Sequence, residues 1–187
     1  MFESFEELEN SIKDCSKCKL CNNRTNIVFG TGNREARLMF IGEGPGADED
    51  AQGIPFVGKA GKLMNEAFRG LEIDRDDVYI ANVVKCRPPM NRNPEQDEVD
   101  SCLDYLRNQV MLVKPEVIVL LGSVALKAIL GNEFSITASR GKWVERKGIK
   151  YMPTFHPAAL LRDETKKIDF WKDLKAVKVE LRNLKME

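Results

Sequence analysis

Two spacings of apolar residues alternate along the chain. Short, nearly continuous apolar runs occur at Arg37-Leu38-Met39-Phe40-Ile41, Val78 to Lys85, Glu116 to Gly122 and Lys150 to Phe155. They read as strands, the Glu116 run as a parallel strand covered on both faces. Between them, apolar residues recur at helical spacing. Phe2, Phe5, Leu8 and Ile12 predict a short helix with Ser4, Glu6 and Glu7 at its start. Leu63, Met64, Ala67 and Phe68 share one face of a helix over Lys62 to Gly70, which Gly70 ends. A longer helix runs from Pro94 and Glu95 through Val99, Cys102, Leu103, Leu106 and Val110, and stops before Pro115. Ser123 is placed to cap a helix over Val124 to Leu130, closed by Gly131. A tail helix from Asp163 carries Ile168, Trp171, Leu174, Val177, Leu181 and Leu184. Alternating strands and helices predict an α/β fold.

The 187 residues suit one domain spanning 1–187, burying about 70% of its unfolded surface, and leave little room for a second. No apolar run approaches the ~20 residues of a membrane span. The opening Met1-Phe2-Glu3-Ser4-Phe5-Glu6-Glu7 is acidic and lacks the layout of a signal peptide, so a cytoplasmic location is expected. Formal net charge is zero, so any nucleic-acid binding has to rest on a local patch, and Lys85, Arg87 and Arg92 offer one.

The candidate chemistry gathers where the apolar runs end. After Ile41 come Gly42-Glu43-Gly44-Pro45-Gly46, whose glycines are read as permitting a sharp turn and a close approach of backbone N–H groups to a ligand. Asp48, Glu49, Asp50 and then Pro55-Phe56-Val57-Gly58 add charge and a flat apolar face. Ligands of open α/β sheets bind at the carboxyl ends of strands. Asn82 is a carboxamide amid apolar residues and needs a partner, either structural or a ligand. His156, the one histidine in the chain, stands before Pro157 at the end of the last apolar run.

Five cysteines in a reducing compartment argue for a metal or a reactive thiol rather than a disulfide framework. Cys15 and Cys18 form a C-x2-C pair, Cys86 and Cys102 are spread over a loop and a helix, and Cys21 is left over. This spacing suits a [4Fe–4S] cluster better than a zinc ribbon, with zinc and a set of unrelated buried cysteines as the alternatives.

The glycine loop with Pro55 to Gly61, Asn82 ahead of Lys85-Cys86-Arg87-Pro88-Pro89, the four spaced cysteines and His156-Pro157 together resemble the type 4 uracil-DNA glycosylases. These are the thermostable iron–sulfur members of the uracil-DNA glycosylase superfamily. The resemblance runs from Cys15 to the final helix and implies a central four-stranded parallel sheet flanked by helices. The implied activity is DNA repair, the hydrolysis of the N-glycosidic bond of uracil in single- or double-stranded DNA after base flipping, leaving an abasic site. The implied cofactor is a [4Fe–4S] cluster on Cys15, Cys18, Cys86 and Cys102. Phe56 would stack on uracil, Asn82 would pair with its polar edge, Glu49 matches the position that excludes thymine, and Gly44 and Gly46 line the base site. His156 would face uracil O2, where charge grows as the base leaves. Leu160 matches a duplex-wedging leucine, with Arg162, Arg140 and Arg87 as phosphate contacts.

One departure bears on mechanism. Relatives in the wider superfamily carry a water-orienting aspartate where this chain has Gly44, which leaves Glu43 or backbone carbonyls for that role. A covalent DNA-trapping relative uses a second histidine after the second strand, and this chain has none there, so turnover is expected. A monomer is expected, and a replication-clamp contact is not readable from the sequence. The rival readings are an iron–sulfur electron-transfer protein and a P-loop-like nucleotide hydrolase. Gly53 to Ala60 approaches a phosphate loop, but Ala60 replaces the metal-binding hydroxyl and the motif does not follow a strand.

Overall fold

In a computed structural model, which describes residues 2–184, the parallel strands are β2 (Leu38–Gly42), β3 (Tyr79–Asn82), β4 (Val117–Leu121) and β6 (Ile149–Thr154). Met1, where the acidic opening stretch begins, lies outside the described residues. Two short antiparallel edges, β1 (Thr31–Gly32) and β5 (Val144–Arg146), extend the expected four strands to a six-stranded sheet of order β1-β3-β2-β4-β6-β5. The edges are too short to leave a periodic signal in the sequence.

Side chains on successive strand positions point to opposite faces, and both faces are covered. Met39, Ile41, Tyr79, Ala81, Ile118 and Leu120 pack against α1 (Phe5–Ile12), α4 (Gln96–Val113) and α5 (Gly122–Leu130). Leu38, Phe40, Ile80, Val117, Val119 and Met152 pack against α3 (Lys59–Gly70), α7 (Pro157–Arg162) and α8 (Lys166–Asn183). This double burial is why the strands read as continuous apolar runs. No described helix is long and apolar enough to cross a membrane.

Helix ends follow local chemistry. Ser4 Oγ accepts the Glu7 N–H at the start of α1, as expected. Ser123, by contrast, lies inside α5 and caps nothing, because Gly122 at φ +87° turns the chain from β4 straight into the helix. The apolar run over Val78 to Lys85 is a strand only to Asn82. Beyond it Val83 and Val84 donate to the carbonyls of Gly42 and Glu43, following the glycine loop. Between α5 and β6 the chain forms a four-residue helix, α6 (Ile136–Ser139), and then the edge strand β5.

Register positions the functional end. Gly42 aligns with Asn82, and Leu121 with Thr154, so all four parallel strands end at one edge. From β2 the chain crosses to β3 on one flank and then to β4 on the other, which makes β2 the switch point where such sheets open a crevice.

Two expected DNA contacts are used internally. Arg140 forms a two-pronged ion pair with buried Asp173 of α8, reaches Asp169 and stacks near the Phe155 ring. Thr154 Oγ1 donates to the same Asp173 carboxylate at 2.7 Å, so this group locks the end of β6 to α8 just before His156. Leu160 has no exposed surface and lies in the α3/α7/α8 core, because the α7 turn points it inward, whereas Leu161 is 47% exposed.

Leu160→Ala should cost about 2–5 kcal/mol of stability in chemical denaturation, as cavity-forming core changes do. Leu161→Ala should stay within about 0.5 kcal/mol. Equal effects would contradict the inward placement of Leu160.

Candidate functional site

The ends of β2, β3 and β6 and the loops after them enclose an open cleft of about 450 Å³, in the range of small-molecule pockets. Its lining includes Glu43, Gly44, Gly46, Glu49, Phe56, Asn82, His156 and Arg162. Residues far apart in sequence, Glu43 to Glu49, Phe56, Asn82 and His156, thus meet in one place.

The base of the cleft is a close packing of three groups. A Cβ on Gly42 would stand 2.4 Å from Asn82 Oδ1 and 2.6 Å from Phe56 Cζ, so only glycine lets the amide and the ring converge. Gly44 and Gly46 act in the same way, with Val84 Cγ2 at 2.7 Å and Glu49 Oε2 at 2.8 Å from their would-be Cβ atoms. None of the three has a positive φ, so their role is space rather than the sharp turn expected from the sequence. Asn82 Oδ1 is buried without a hydrogen-bond partner among the described residues. An unpaired buried carbonyl costs about 1–3 kcal/mol, and this one is free to accept an N–H from a ligand in the cleft.

Phe56 is buried with its backbone at φ +53°, an uncommon conformation for an aromatic residue. Its ring centroid lies 5.6 Å from that of His156. The loop is held by Glu49, whose carboxylate accepts the N–H groups of Gly46, Val57 and Gly58 at 3.1, 2.9 and 2.8 Å. Glu49 is therefore a brace beneath Phe56. Arg75 closes the other side by donating to the Pro55 carbonyl at 2.6 Å.

His156 caps α7, its Nδ1 accepting the Ala158 N–H at 3.1 Å. That bond leaves the proton on Nε2. Desolvation and then the Arg162 charge push its pKa down to about 4, so the imidazole is a neutral donor at neutral pH. Gly122 lets the ring's own Cβ approach, since a side chain there would meet it at 2.9 Å. Burial raises the Glu43 carboxyl above its usual value, with Arg162 opposing.

Basic residues sit at the mouth. Lys59, Arg92 and Arg162 line the cleft, with Asn91 and Asn93. Lys59 was legible only as part of the near-phosphate-loop stretch, which here follows a helix, α2 (Ala47–Gln52). Arg92 is fixed by a two-pronged pair with buried Glu98, and Arg87 lies outside the lining with its Nε donating to Asn91. Lys85 does not belong to this patch, because its side chain is fully buried.

A second cavity holds the cysteines. Cys15, Cys18, Cys21, Cys86 and Cys102 line it, with Arg24 and Lys85, so the fifth thiol is at the site too. All five are free thiols. Among the described residues no three His, Cys, Asp or Glu side chains converge on a single ion. Arg24 Nη1 donates to the Cys15 carbonyl at 2.7 Å and reaches Cys86 Sγ at 3.5 Å. Burial raises the pKa of Cys18 and Cys102, and that of Cys86 to about 11. Buried thiols around a shared space, with cations beside them, fit a polynuclear cluster that replaces their protons and leaves net negative charge.

Known proteins match this chain along most of its length. The model of the uracil DNA glycosylase superfamily matches residues 29–175. A type-4 uracil-DNA glycosylase of Thermotoga maritima is 46% identical over 168 residues, covering 89% of this chain and 88% of that one. One from Archaeoglobus fulgidus is 44% identical over 184 residues, covering 94% and 92%. A type-5 uracil-DNA glycosylase of Pyrobaculum aerophilum is 28% identical over 189 residues, covering 83% of each.

In an NMR titration His156 should remain neutral, with Nε2 protonated, down to about pH 4. Because the folded pKa is depressed, the stability from the neutral ring is complete above the unfolded value of about 6.5 and is lost as pH falls toward 4. A midpoint near 6.5 in the folded protein would contradict this environment.

Proposed function

The chain belongs to the uracil-DNA glycosylase superfamily, and from that membership and the cleft we infer that it excises uracil from DNA by hydrolysing the N-glycosidic bond. The observation that carries the reading is the unpartnered Asn82 Oδ1 beside the Phe56 ring. Uracil offers an N3–H donor next to a carbonyl at O4, and the Asn82 amide can accept from the first and donate to the second. Cytosine has an unprotonated N3 and an amino group there, and would leave both amide groups facing like partners.

The scissile bond is hidden in a duplex, so the nucleotide is rotated into the cleft, where Phe56 stacks on the base. The neutral His156 donates from Nε2 to O2 as negative charge accumulates there. A donor aimed at developing charge is worth about 10²–10³ in rate. Glu43, with its raised pKa, orients the attacking water and takes its proton as the sugar cation is captured. Thymine is excluded by the tight wall of Gly44, Gly46 and the loop that Glu49 braces, more than by the Glu49 carboxylate itself. Exposed Leu161, one residue beyond Leu160, is the better-placed wedge, and Arg162 and Lys59 neutralise phosphates.

We further propose that Cys15, Cys18, Cys86 and Cys102 hold a [4Fe–4S] cluster, supported by their shared cavity and the adjoining Arg24 and Lys85. When bound, the cluster supplies a cross-link among the N-terminal segment, the loop after β3 and α4. The enzyme acts as a single-domain monomer in the cytoplasm, where its thiols stay reduced.

The test is a labelled oligonucleotide with one uracil, beside thymine and cytosine controls, using protein whose iron is quantified. Alkali-labile cleavage only at uracil is expected, and none from folded, iron-loaded protein would overturn the reading. His156→Ala should lower kcat about 10²–10³-fold with little change in KM. The wild-type kcat should rise with pH through a midpoint above the 4.5 of an ordinary glutamate, and Glu43→Gln should remove that limb.

A further inference from the structure

Lys85 is a fully buried lysine outside the cleft, and its bonds run to both sites. Its Nζ donates to the Asn82 carbonyl at 2.7 Å and to Gln109 Oε1 at 2.6 Å. Gln109 is itself fixed, donating from Nε2 to the Phe29 carbonyl at 2.8 Å and to the Tyr79 hydroxyl at 3.0 Å. The Lys85 carbonyl accepts the Val28 N–H at 2.8 Å, and its backbone N–H supports the Cys102 sulfur. Cys86 follows it in the chain, and the side chain borders the cysteine cavity.

Burying an ammonium is costly, and a cluster in the bordering cysteine cavity would offset part of that cost without requiring the bond to Asn82. Among the described residues no carboxylate is paired with Lys85. The two acceptors it does hold are the carbonyl of the base-reading residue and a glutamine wired into β3 and the chain before β1. Asn82 is the last residue of β3, where the ladder ends and the chain follows the glycine loop. The peptide plane after Asn82 is held on one side by the Val83 N–H bond to the Gly42 carbonyl, and the Lys85 ammonium fixes its carbonyl side.

We propose that Lys85 is a positioning residue, which holds Asn82 in its base-reading orientation and ties that orientation to the cysteine cavity through Cys102 and Cys86. It touches neither the base nor the reacting atoms and acts through Asn82. The proposal rests on the base-excision reading above.

Lys85→Met keeps the length of the stem and removes the ammonium. The variant should stay folded, with affinity for free uracil, measured by calorimetry, lowered about 10- to 100-fold. Its kcat/KM on single-stranded uracil DNA should fall at least as far, and excision of uracil over cytosine should become less selective. Iron content and visible absorbance are read on the same sample. A merely structural lysine would lower melting temperature or iron content while the folded, iron-loaded fraction kept wild-type uracil affinity and selectivity, and that result overturns the proposal.

Gln109→Leu covers the case in which Lys85→Met does not fold. It removes the acceptor that aims the ammonium and leaves Lys85 in place, so uracil affinity should fall in the same direction by a smaller factor. Unchanged affinity in that variant also overturns the proposal. A wild-type protein that neither excises nor binds uracil sinks the base-excision reading and this one with it, whereas active wild type with unaffected variants sinks this one alone.

Discussion

At Gly42 the structure depends on the absence of a single carbon. The Asn82 amide and the Phe56 ring come so close above this residue that no Cβ fits between them. The approach follows from parallel register, which aligns Gly42 with Asn82, and from the strained Phe56 backbone that folds the ring back over the strand end. Gly61 permits the second of these, because a Cβ there would run into the Phe56 carbonyl at 1.9 Å. The cleft is thus pre-shaped by backbone, with one strained φ at Phe56 and one unpaired buried carbonyl at Asn82 held in place by the surrounding packing.

Electrostatics complement that shape without any net charge on the protein. A neutral imidazole, a carboxyl raised by burial and a guanidinium near both give the cleft groups whose protonation is set by desolvation and by Arg162. The mouth carries basic side chains while acidic partners such as Glu98 and Asp173 are folded inward. Global charge is a poor guide here because binding depends on which charges face the cleft, and screening confines each to about 10 Å.

The two cavities are braced against each other through separate polar links. On one side Arg24 reaches the cysteines, and the next two residues, Thr25 and Asn26, bond to buried Asp50 of α2, adjacent to the Glu49 brace. On the other, Lys85 spans from Cys102 to Asn82. Both walls of the base site are therefore anchored to the cysteine-bearing segments.

The sequence by itself determined the four parallel strands, the principal helices and the alternation that makes an α/β sheet, and it singled out Glu43, Phe56, Asn82, His156 and the cysteines, which the fold brings to two cavities. These were legible because double-faced burial writes continuous apolar runs, and because an amide, a histidine or a C-x2-C pair at a strand or loop boundary stands out from its neighbours. Only the tertiary structure decided which way a side chain points and what it meets. Leu160 and Leu161 are chemically alike and differ by one helical step of about 100°, which sends one into the core and the other to solvent. Arg140, Arg87 and Lys85 look like surface cations in sequence, yet Asp173, Asn91 and Gln109, distant or nearby in the chain, take up their donors. Glu49 reads as a solvated carboxylate until three backbone N–H groups are folded onto it. Side-chain partners across the fold are set by packing and register, and one-dimensional spacing carries no record of them.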